Sequence, residues 1–264
     1  MREERIDNDG VPAKVYDPGD AGGLLLVGHG GEQSKDSERY VRLCRRYADQ
    51  TGLAVVCIDA VDHGERKLTG VSAGLPPRWH STAMEQMVAD WQTTAEGLAS
   101  IGPAVAYVGF SMGMIFGAPT VASMATIKAA VFGVGGIPTG AWINDPPLRT
   151  ALLDAASKLA HPQVLMVNLT QDRLFRTEDT HLFFDAIPGQ RKRLMFWEGD
   201  HDDWPAEAIR QALAVDSRTP APNLRECAAP VGRSPRPPVK HIQQELGSAD
   251  PRITPIHLGQ SRRT

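Results

Sequence analysis

The residues best suited to chemistry are Gly109-Phe110-Ser111-Met112-Gly113, which follow the apolar run AVAYV and precede a run of small residues. A serine at this spacing, after a strand and before a helix, is typical of a sharp turn that presents the hydroxyl clear of a sheet. Glycine two residues on either side lets the strand and the helix approach closely. The pattern predicts a nucleophile at Ser111, although by itself it is also consistent with a glycine-rich turn.

A serine hydroxyl is a weak nucleophile at neutral pH, so it needs a histidine that takes its proton and a carboxylate that holds the histidine tautomer. Two downstream residues follow apolar runs: Asp172 comes after VLMVNLTQ, and His201 comes after RLMFWEGD. We therefore expect Ser111, Asp172 and His201 to meet at the carboxyl edge of a parallel sheet. The alternatives are a loop or helix-capping carboxylate at Asp172 and a surface histidine among three aspartates at His201.

A tetrahedral intermediate also requires backbone N–H groups directed at its oxyanion. We expect one N–H from Met112, directly after the nucleophile, and a second from Gly31 in the segment His29-Gly30-Gly31-Glu32. His29 itself is expected to be a structural, hydrogen-bonding residue of this loop.

A second cluster of chemically capable residues lies in the segment IDAVDHGER. Asp59, Asp62, His63 and Glu65 are the residue types of a metal site. No second histidine stands at a helical or HxH spacing, however, so we predict no metal site here and no metal elsewhere.

The elements that must position these residues are visible as short apolar runs with helical segments between them. The runs are apolar without alternation, which is typical of strands buried on both faces of a parallel sheet. Two intervening segments, Glu38–Asp49 and Thr82–Ser100, carry apolar residues at steps of three and four, which predicts helices. The predicted strands are Leu24–Val27, Leu53–Ile58, Val105–Val108, Ala129–Val134, Val164–Asn168 and Leu194–Trp197.

Residues 97–127 carry no charge, which raises the question of a membrane span. Two prolines and five glycines interrupt this stretch. They would disrupt a membrane helix but suit a buried strand, a sharp turn and a buried helix, so we expect no membrane association.

The composition is ordinary for a globular protein, with 28 basic and 31 acidic residues and a formal charge of −3, which argues against nucleic-acid binding. The three cysteines are scattered, and no apolar segment near residue 1 indicates a secretory signal. We therefore expect a cytoplasmic protein. The sequence does not determine the oligomeric state, and a homodimer is one of the alternatives.

The composition changes after about residue 215. Residues 217–264 contain eight prolines, eight Lys or Arg, three Asp or Glu and no aromatic residue. We predict one domain over residues 1–216 and a disordered tail over 217–264, because such a segment buries too little to offset its ordering entropy. The fragment SPRPPVK could instead be a polyproline ligand for a partner protein.

Five motifs together, GHGGEQSKD, IDAVDHGER, GFSMG, QDRLF and GDHDD, resemble the α/β-hydrolase superfamily over roughly residues 10–215. Within it the chain is similar to compact dienelactone-hydrolase-like esterases and to peptidase-like hydrolases. The resemblance implies an α/β fold with a mostly parallel sheet of about eight strands, flanking helices, a small cap and the triad order Ser111, Asp172, His201. It also implies an acyl-serine mechanism without a cofactor, and local pairing of the IDAVDHGER charges that includes Arg66. Dienelactone hydrolase itself carries cysteine at the nucleophile, so the serine indicates an esterase-like relative.

The loops over the sheet are expected to select the substrate. Residues 64–81 and 135–149 would form these loops, and Phe110, Trp79, Trp142 and Ile143 are candidate pocket walls that could equally be core. The predicted function is hydrolysis of a small carboxylic ester, with thioesters, lactones and peptides left open. The rival interpretation is a binding or isomerising protein on the same scaffold that does not hydrolyse.

Overall fold

The computed structural model describes residues 1–67, 81–138 and 146–203. Within them the chain forms eight strands and five helices, with one 3₁₀ turn at Gly64–Arg66. The strands are β1 (Arg2–Asn8), β2 (Val11–Asp17), β3 (Leu24–Gly28), β4 (Ala54–Ile58), β5 (Ala104–Phe110), β6 (Ala129–Gly133), β7 (Gln163–Leu169) and β8 (Lys192–Trp197). The helices are α1 (Glu38–Thr51), α2 (Ser81–Gly97), α3 (Met112–Ser123), α4 (Pro146–Ser157) and α5 (Thr177–Ala186).

All eight strands belong to one sheet in the order β1-β2-β4-β3-β5-β6-β7-β8. The strands β3 to β8 run parallel, and β2 pairs antiparallel with both β1 and β4. This confirms the expected mostly parallel sheet with flanking helices. Because β3 to β8 run the same way, their carboxyl ends lie at one edge of the sheet, and the segments after them can meet there.

The six apolar runs all form strands, but β1 and β2 were not predicted from the residues. The residues of β1 are mostly exposed and charged, because this strand forms the edge of the sheet, where charge discourages pairing with another chain. The two strands are joined at Asp9 and Gly10, whose φ angles of 53° and 82° are both positive. An Asp-Gly pair is a common hairpin signal, and it could have revealed this hairpin.

The core lies on both faces of the sheet. Successive strand residues point to opposite faces, so Leu24 and Leu26 join one buried cluster while Leu25 and Val27 join the other. The first cluster also includes apolar residues of α2, α3, α4 and α5, and the second includes residues of α1. This sandwich holds the carboxyl ends of the central strands rigid.

Helices α1 and α2 confirm the two helical predictions. The buried positions of α1 include Cys44 and Ala48, whereas the apolar Val41 is only partly buried. Helix α1 ends at Thr51 and is capped by Gly52, whose φ of 70° is left-handed and whose N–H donates to the Ala48 carbonyl.

The uncharged residues 97–127 contain strand β5, a sharp turn and the buried helix α3, as predicted. Within the described ranges, no helix is both long and apolar enough to cross a lipid bilayer.

One loop is shorter than expected. The sequence predicted a loop over residues 135–149, but α4 already begins at Pro146, where proline fits the first turn of a helix because its nitrogen needs no intrahelical acceptor. Residues 68–80, 139–145 and 204–264 lie outside the described residues. These ranges contain most of the predicted cap, with Trp79, Trp142 and Ile143, and the predicted tail 217–264. These features therefore stay predictions.

Candidate active site

Ser111 occupies the turn between β5 and α3 in a strained backbone conformation, with φ 54° and ψ −117°. A positive φ is unusual for a residue other than glycine and persists only where the surroundings enforce it. Here the Ser111 N–H donates to the Gly133 carbonyl at 2.9 Å, and the Ser111 carbonyl accepts the N–H groups of Met114 and Ile115. The turn therefore lifts the serine side chain out of the sheet at the carboxyl end of β5.

Glycines on both sides of the serine allow this turn, as the sequence predicted. A Cβ atom on Gly109 would lie 2.3 Å from the Gly113 carbonyl oxygen, and one on Gly113 would lie 2.2 Å from the Gly28 carbonyl oxygen. Any side chain at either position would push α3 away from β3 and β5.

The three side chains singled out by their types and spacing lie in one hydrogen-bonded row. His201 Nε2 is 3.1 Å from Ser111 Oγ, and His201 Nδ1 is 2.8 Å from Asp172 Oδ2. Asp172 is buried after β7, and its Oδ1 accepts the N–H groups of Leu174 at 2.8 Å and Phe175 at 2.9 Å. The carboxylate therefore stabilises its own loop and also reaches the imidazole.

The hydrogen bonds assign the imidazole tautomer. A carboxylate only accepts, so His201 Nδ1 must carry the proton, which leaves Nε2 as an acceptor for the Ser111 hydroxyl. The His201 side chain is 18% exposed, so the ring is neither on the open surface nor sealed from solvent. The Phe175 ring packs against it, with centroids 5.7 Å apart and planes inclined by 32°.

The two expected oxyanion donors are the backbone N–H groups of Met112 and Gly31. Met112 is the first residue of α3, so its N–H has no intrahelical acceptor. Gly31 follows Gly30, where a Cβ would lie 3.9 Å from Ser111 Cβ. In the part of the chain that the structure describes, neither the Gly31 N–H nor the Met112 N–H donates to an acceptor.

His29 has the structural environment that the sequence predicted. The ring is buried, its Nδ1 donates to the Gly30 carbonyl at 2.8 Å, and its Nε2 accepts the Ala60 N–H at 2.9 Å. Burial lowers the pKa of His29 to about 4, so the ring is neutral at physiological pH. Both ring nitrogens are occupied by backbone groups.

The Asp59, Asp62, His63 and Glu65 cluster forms local contacts. His63 Nδ1 bonds the Val61 carbonyl at 2.8 Å, and the Asp59 carboxylate bonds Lys35 at 2.9 Å. No three His, Cys, Asp or Glu side chains are grouped to hold a metal ion within residues 1–67, 81–138 and 146–203. Arg66 does pair locally, but it binds the Asp59 carbonyl and the carboxylate of Asp90 on α2.

Of the four candidate pocket walls, the structure describes only Phe110. Its side chain is fully buried, belongs to the core cluster that includes α1, and covers Gly133, so it takes the core alternative.

Sequence reasoning missed two residues beside the site. Phe175 packs against the His201 ring and lies inside the motif QDRLF, but nothing in an isolated phenylalanine distinguishes ring packing from core packing. Lys35 is buried in the same loop as Gly31, four residues later, and a lysine in a polar loop gives no sign of burial.

Of the comparisons with known proteins, the one with solved structures supports the fold. No protein-family model matches the chain, and no curated protein matches it. A PEG-bound cold-adapted esterase from an Arctic intertidal metagenomic library is 25% identical, with a TM-score of 0.66, covering 79% of this chain and 88% of that one.

Two further solved structures are similar at 15% identity, each with a TM-score of 0.57. Est1E from Butyrivibrio proteoclasticus, solved with ferulic acid bound, covers 84% of this chain and 96% of its own. The thioesterase domain from the curacin biosynthetic pathway covers 76% of this chain and 94% of its own. The strand order and these neighbours establish an α/β-hydrolase fold.

Proposed function

We propose that this protein is a serine hydrolase that cleaves small carboxylic esters through an acyl-serine intermediate. The observation that carries the proposal is the continuous row from Asp172 through His201 to Ser111. The backbone N–H groups of Gly31 and Met112, which have no acceptor among the described residues, support it. The similarity to an esterase at 25% identity supports an ester as the substrate class.

The first half of the reaction forms the acyl-enzyme. Ser111 Oγ attacks the ester carbonyl carbon while His201 Nε2 takes the hydroxyl proton, and Asp172 stabilises the resulting imidazolium. The carbonyl oxygen becomes an oxyanion that the N–H groups of Gly31 and Met112 bind. The intermediate then collapses, the bond to the alcohol oxygen breaks, and His201 gives its proton to the leaving alcohol.

The second half returns the enzyme to its starting state. Water attacks the acyl carbon and gives a proton to His201 Nε2, and the same two N–H groups hold the second oxyanion. Collapse releases the carboxylic acid, and the proton returns to Ser111 Oγ. Atoms and protons balance over one ester and one water, so the sequence of steps requires no further reactant.

The decisive experiment combines labelling with turnover. A fluorophosphonate probe should modify Ser111, because rapid reaction needs both an adjacent base and an oxyanion hole. The enzyme should also hydrolyse p-nitrophenyl acetate, and Ser111→Ala should abolish labelling and lower kcat by at least about 10³-fold.

Ser123→Ala is the matched control, because Ser123 lies at the far end of the same helix and donates to the Thr120 carbonyl. Absence of labelling and turnover in the wild type would favour a binding or isomerising protein. Labelling that persists in Ser111→Ala would contradict the assignment of the nucleophile.

The size of the acyl group is a second property to test. Only residues 134–145 separate β6 from α4, which is too short for a large lid over a lipid chain. We therefore expect p-nitrophenyl acetate and butyrate to turn over faster than palmitate. Faster turnover of palmitate would show that a larger pocket covers Ser111.

A further inference from the structure

Asp59, the first residue after β4, is completely buried, and hydrogen-bond donors surround its carboxylate. Asp59 Oδ1 accepts the Lys35 backbone N–H at 2.9 Å. Asp59 Oδ2 accepts the Lys35 ammonium and the Glu65 backbone N–H, both at 2.9 Å. Both oxygens are therefore engaged by protein groups, and their partners come from the loop after β3 and from the 3₁₀ turn.

The backbone is shaped around this carboxylate. Gly64 has a φ of 54°, and a Cβ atom there would lie 2.2 Å from the carboxyl carbon of Asp59. The 3₁₀ turn thus closes directly over the aspartate, and only glycine fits at this point.

Lys35 is equally buried, with a side chain only 1% exposed. Burial opposes its charge, but the hydrogen bonds that the ammonium donates to the carboxylates of Glu65, Asp59 and Asp36 outweigh burial and raise the pKa of Lys35. The ammonium therefore stays charged, and the Lys35–Asp59 pair is a fixed ionic contact between two loops.

Gly31 lies between two points where its loop is tied to the end of β4. At one end, the His29 ring accepts the Ala60 N–H at 2.9 Å. At the other end, Lys35 donates its backbone N–H and its ammonium to Asp59. The adjacent residues Asp59 and Ala60 therefore hold both sides of the segment that carries the proposed oxyanion donor.

We propose that Asp59 and Lys35 are positioning residues that hold the Gly31 N–H at the oxyanion of the reaction. The inference rests on the proposed function, and it assigns a role to a cluster that the chemistry itself does not use. The two residues act through the backbone of the loop after β3. They contribute to transition-state binding and not to substrate binding.

The test compares Asp59→Asn and Lys35→Met with the wild type on p-nitrophenyl acetate. In Asp59→Asn the side-chain NH₂ must face a donor in either orientation, the Lys35 backbone N–H or the Lys35 ammonium with the Glu65 N–H. At least one hydrogen bond between the loops is therefore lost, and the Lys35 ammonium no longer faces a charged carboxylate at this position. Three quantities are measured at a temperature where circular dichroism shows a folded protein: kcat, KM and the Ki of a trifluoromethyl ketone. This ketone forms an oxyanion when the catalytic serine adds to it.

Asp17→Asn is the matched control. Asp17 is also buried and accepts a backbone N–H, that of Gly19 at 2.8 Å, but it lies beside the start of β4, at the opposite edge of the sheet. Any effect of simply neutralising a buried aspartate will therefore appear in this variant too.

We expect kcat to fall about 10–100-fold in both loop variants, less than the roughly 10²–10³-fold measured when an oxyanion donor is removed outright. KM should stay within about twofold, and the ketone Ki should rise by the same factor by which kcat/KM falls. The double variant should lose no more than the worse single variant, because both changes break one contact. Asp17→Asn should keep kcat and Ki.

Three results would overturn the inference. Wild-type kcat and Ki in folded Asp59→Asn and Lys35→Met would show that the contact does not position the loop. An equal loss in Asp17→Asn would indicate a general stability effect, and failure of both loop variants to fold would assign the pair to folding alone. An inactive, unlabelled wild type would instead contradict the proposed function, and this inference with it.

Discussion

Two histidines stand on opposite sides of Ser111, and their surroundings differ. His29, after β3, is buried, and its ring bonds two backbone groups, the Gly30 carbonyl and the Ala60 N–H. His201, after β8, is partly exposed, and among the described residues its ring bonds side chains alone, those of Asp172 and Ser111. His201 Nε2 faces a hydroxyl, which can either donate or accept a hydrogen bond. Protonation of His29 would instead set a second N–H against the Ala60 N–H and separate two loops.

This difference teaches that the partners of an imidazole decide its role more than its nearness to a nucleophile. Backbone partners on both nitrogens fix the ring as a structural link, whereas a hydroxyl on one nitrogen and a carboxylate on the other allow it to exchange a proton with the hydroxyl. The region around His29 should therefore respond to substitution mainly in stability, and the region around His201 mainly in activity.

The largest expected effect is that of His201→Gln, which removes the only base in contact with Ser111 Oγ among the described residues. We expect kcat/KM for p-nitrophenyl acetate to fall by about 10⁴-fold or more, with the thermal midpoint changed by a few degrees at most. His29→Gln should show the opposite pattern, a clear loss of thermal stability with a smaller loss of activity. Equal activity losses in the two variants would remove the distinction between the two histidines.

Asp172→Asn should have the next largest effect. The asparagine oxygen can still accept the Leu174 and Phe175 N–H groups, so the loop is kept, but its NH₂ group would face His201 Nδ1. The proton of the ring then moves to Nε2, which can no longer accept the proton of Ser111. We expect kcat to fall about 10³-fold with an unchanged unfolding midpoint, whereas near-wild-type turnover would leave Asp172 as a loop carboxylate only.

A third prediction concerns stability in acid. The pKa of His29 is about 4 in the folded protein, against about 6.5 in an unfolded chain, so the unfolded state binds the extra proton between these values. His29 therefore costs no stability above about pH 6.5, and its contribution lowers the free energy of unfolding by about 3 kcal/mol as the pH drops from about 6.5 to about 4.

The measurement is urea unfolding of the wild type and His29→Gln between pH 7 and pH 4. Other groups titrate over this range in both proteins, so the contribution of His29 is the difference between them, and it should shrink as the pH falls. His181→Gln is the control, because His181 is exposed on α5. A constant difference between wild type and His29→Gln would show that the ring does not oppose protonation.

The smallest expected effect is that of a chelator. The oxygens of Asp59 are already engaged by Lys35 and by the Glu65 N–H, which leaves this cluster little capacity for a metal ion. Treatment with EDTA should therefore leave p-nitrophenyl acetate turnover unchanged. If EDTA abolishes activity and a divalent cation restores it, the IDAVDHGER cluster is the reactive site and the assignment of Ser111 is wrong.

Much of the parallel sheet could be predicted from the sequence. Strands buried on both faces must be continuously apolar, so each of the central runs, such as Leu24–Val27, was visible as a strand without any tertiary information. The same does not hold at the edge, where β1 is charged and exposed and its apolar content carries no signal. The order of Ser111, Asp172 and His201 could likewise be predicted, because each follows an apolar run and parallel strands end at one edge.

Only the tertiary structure decided which residues of the loops and turns are buried and what they contact. Phe110 and Trp79 were equal candidates for a pocket wall, and the burial of Phe110 against Gly133 depends on where β6 lies. Lys35 and Asp59 are 24 positions apart, and nothing local to either residue reveals that they meet inside the protein. The physical reason is that apolar burial leaves a periodic trace along the chain, whereas a polar contact depends on how distant loops pack and leaves none.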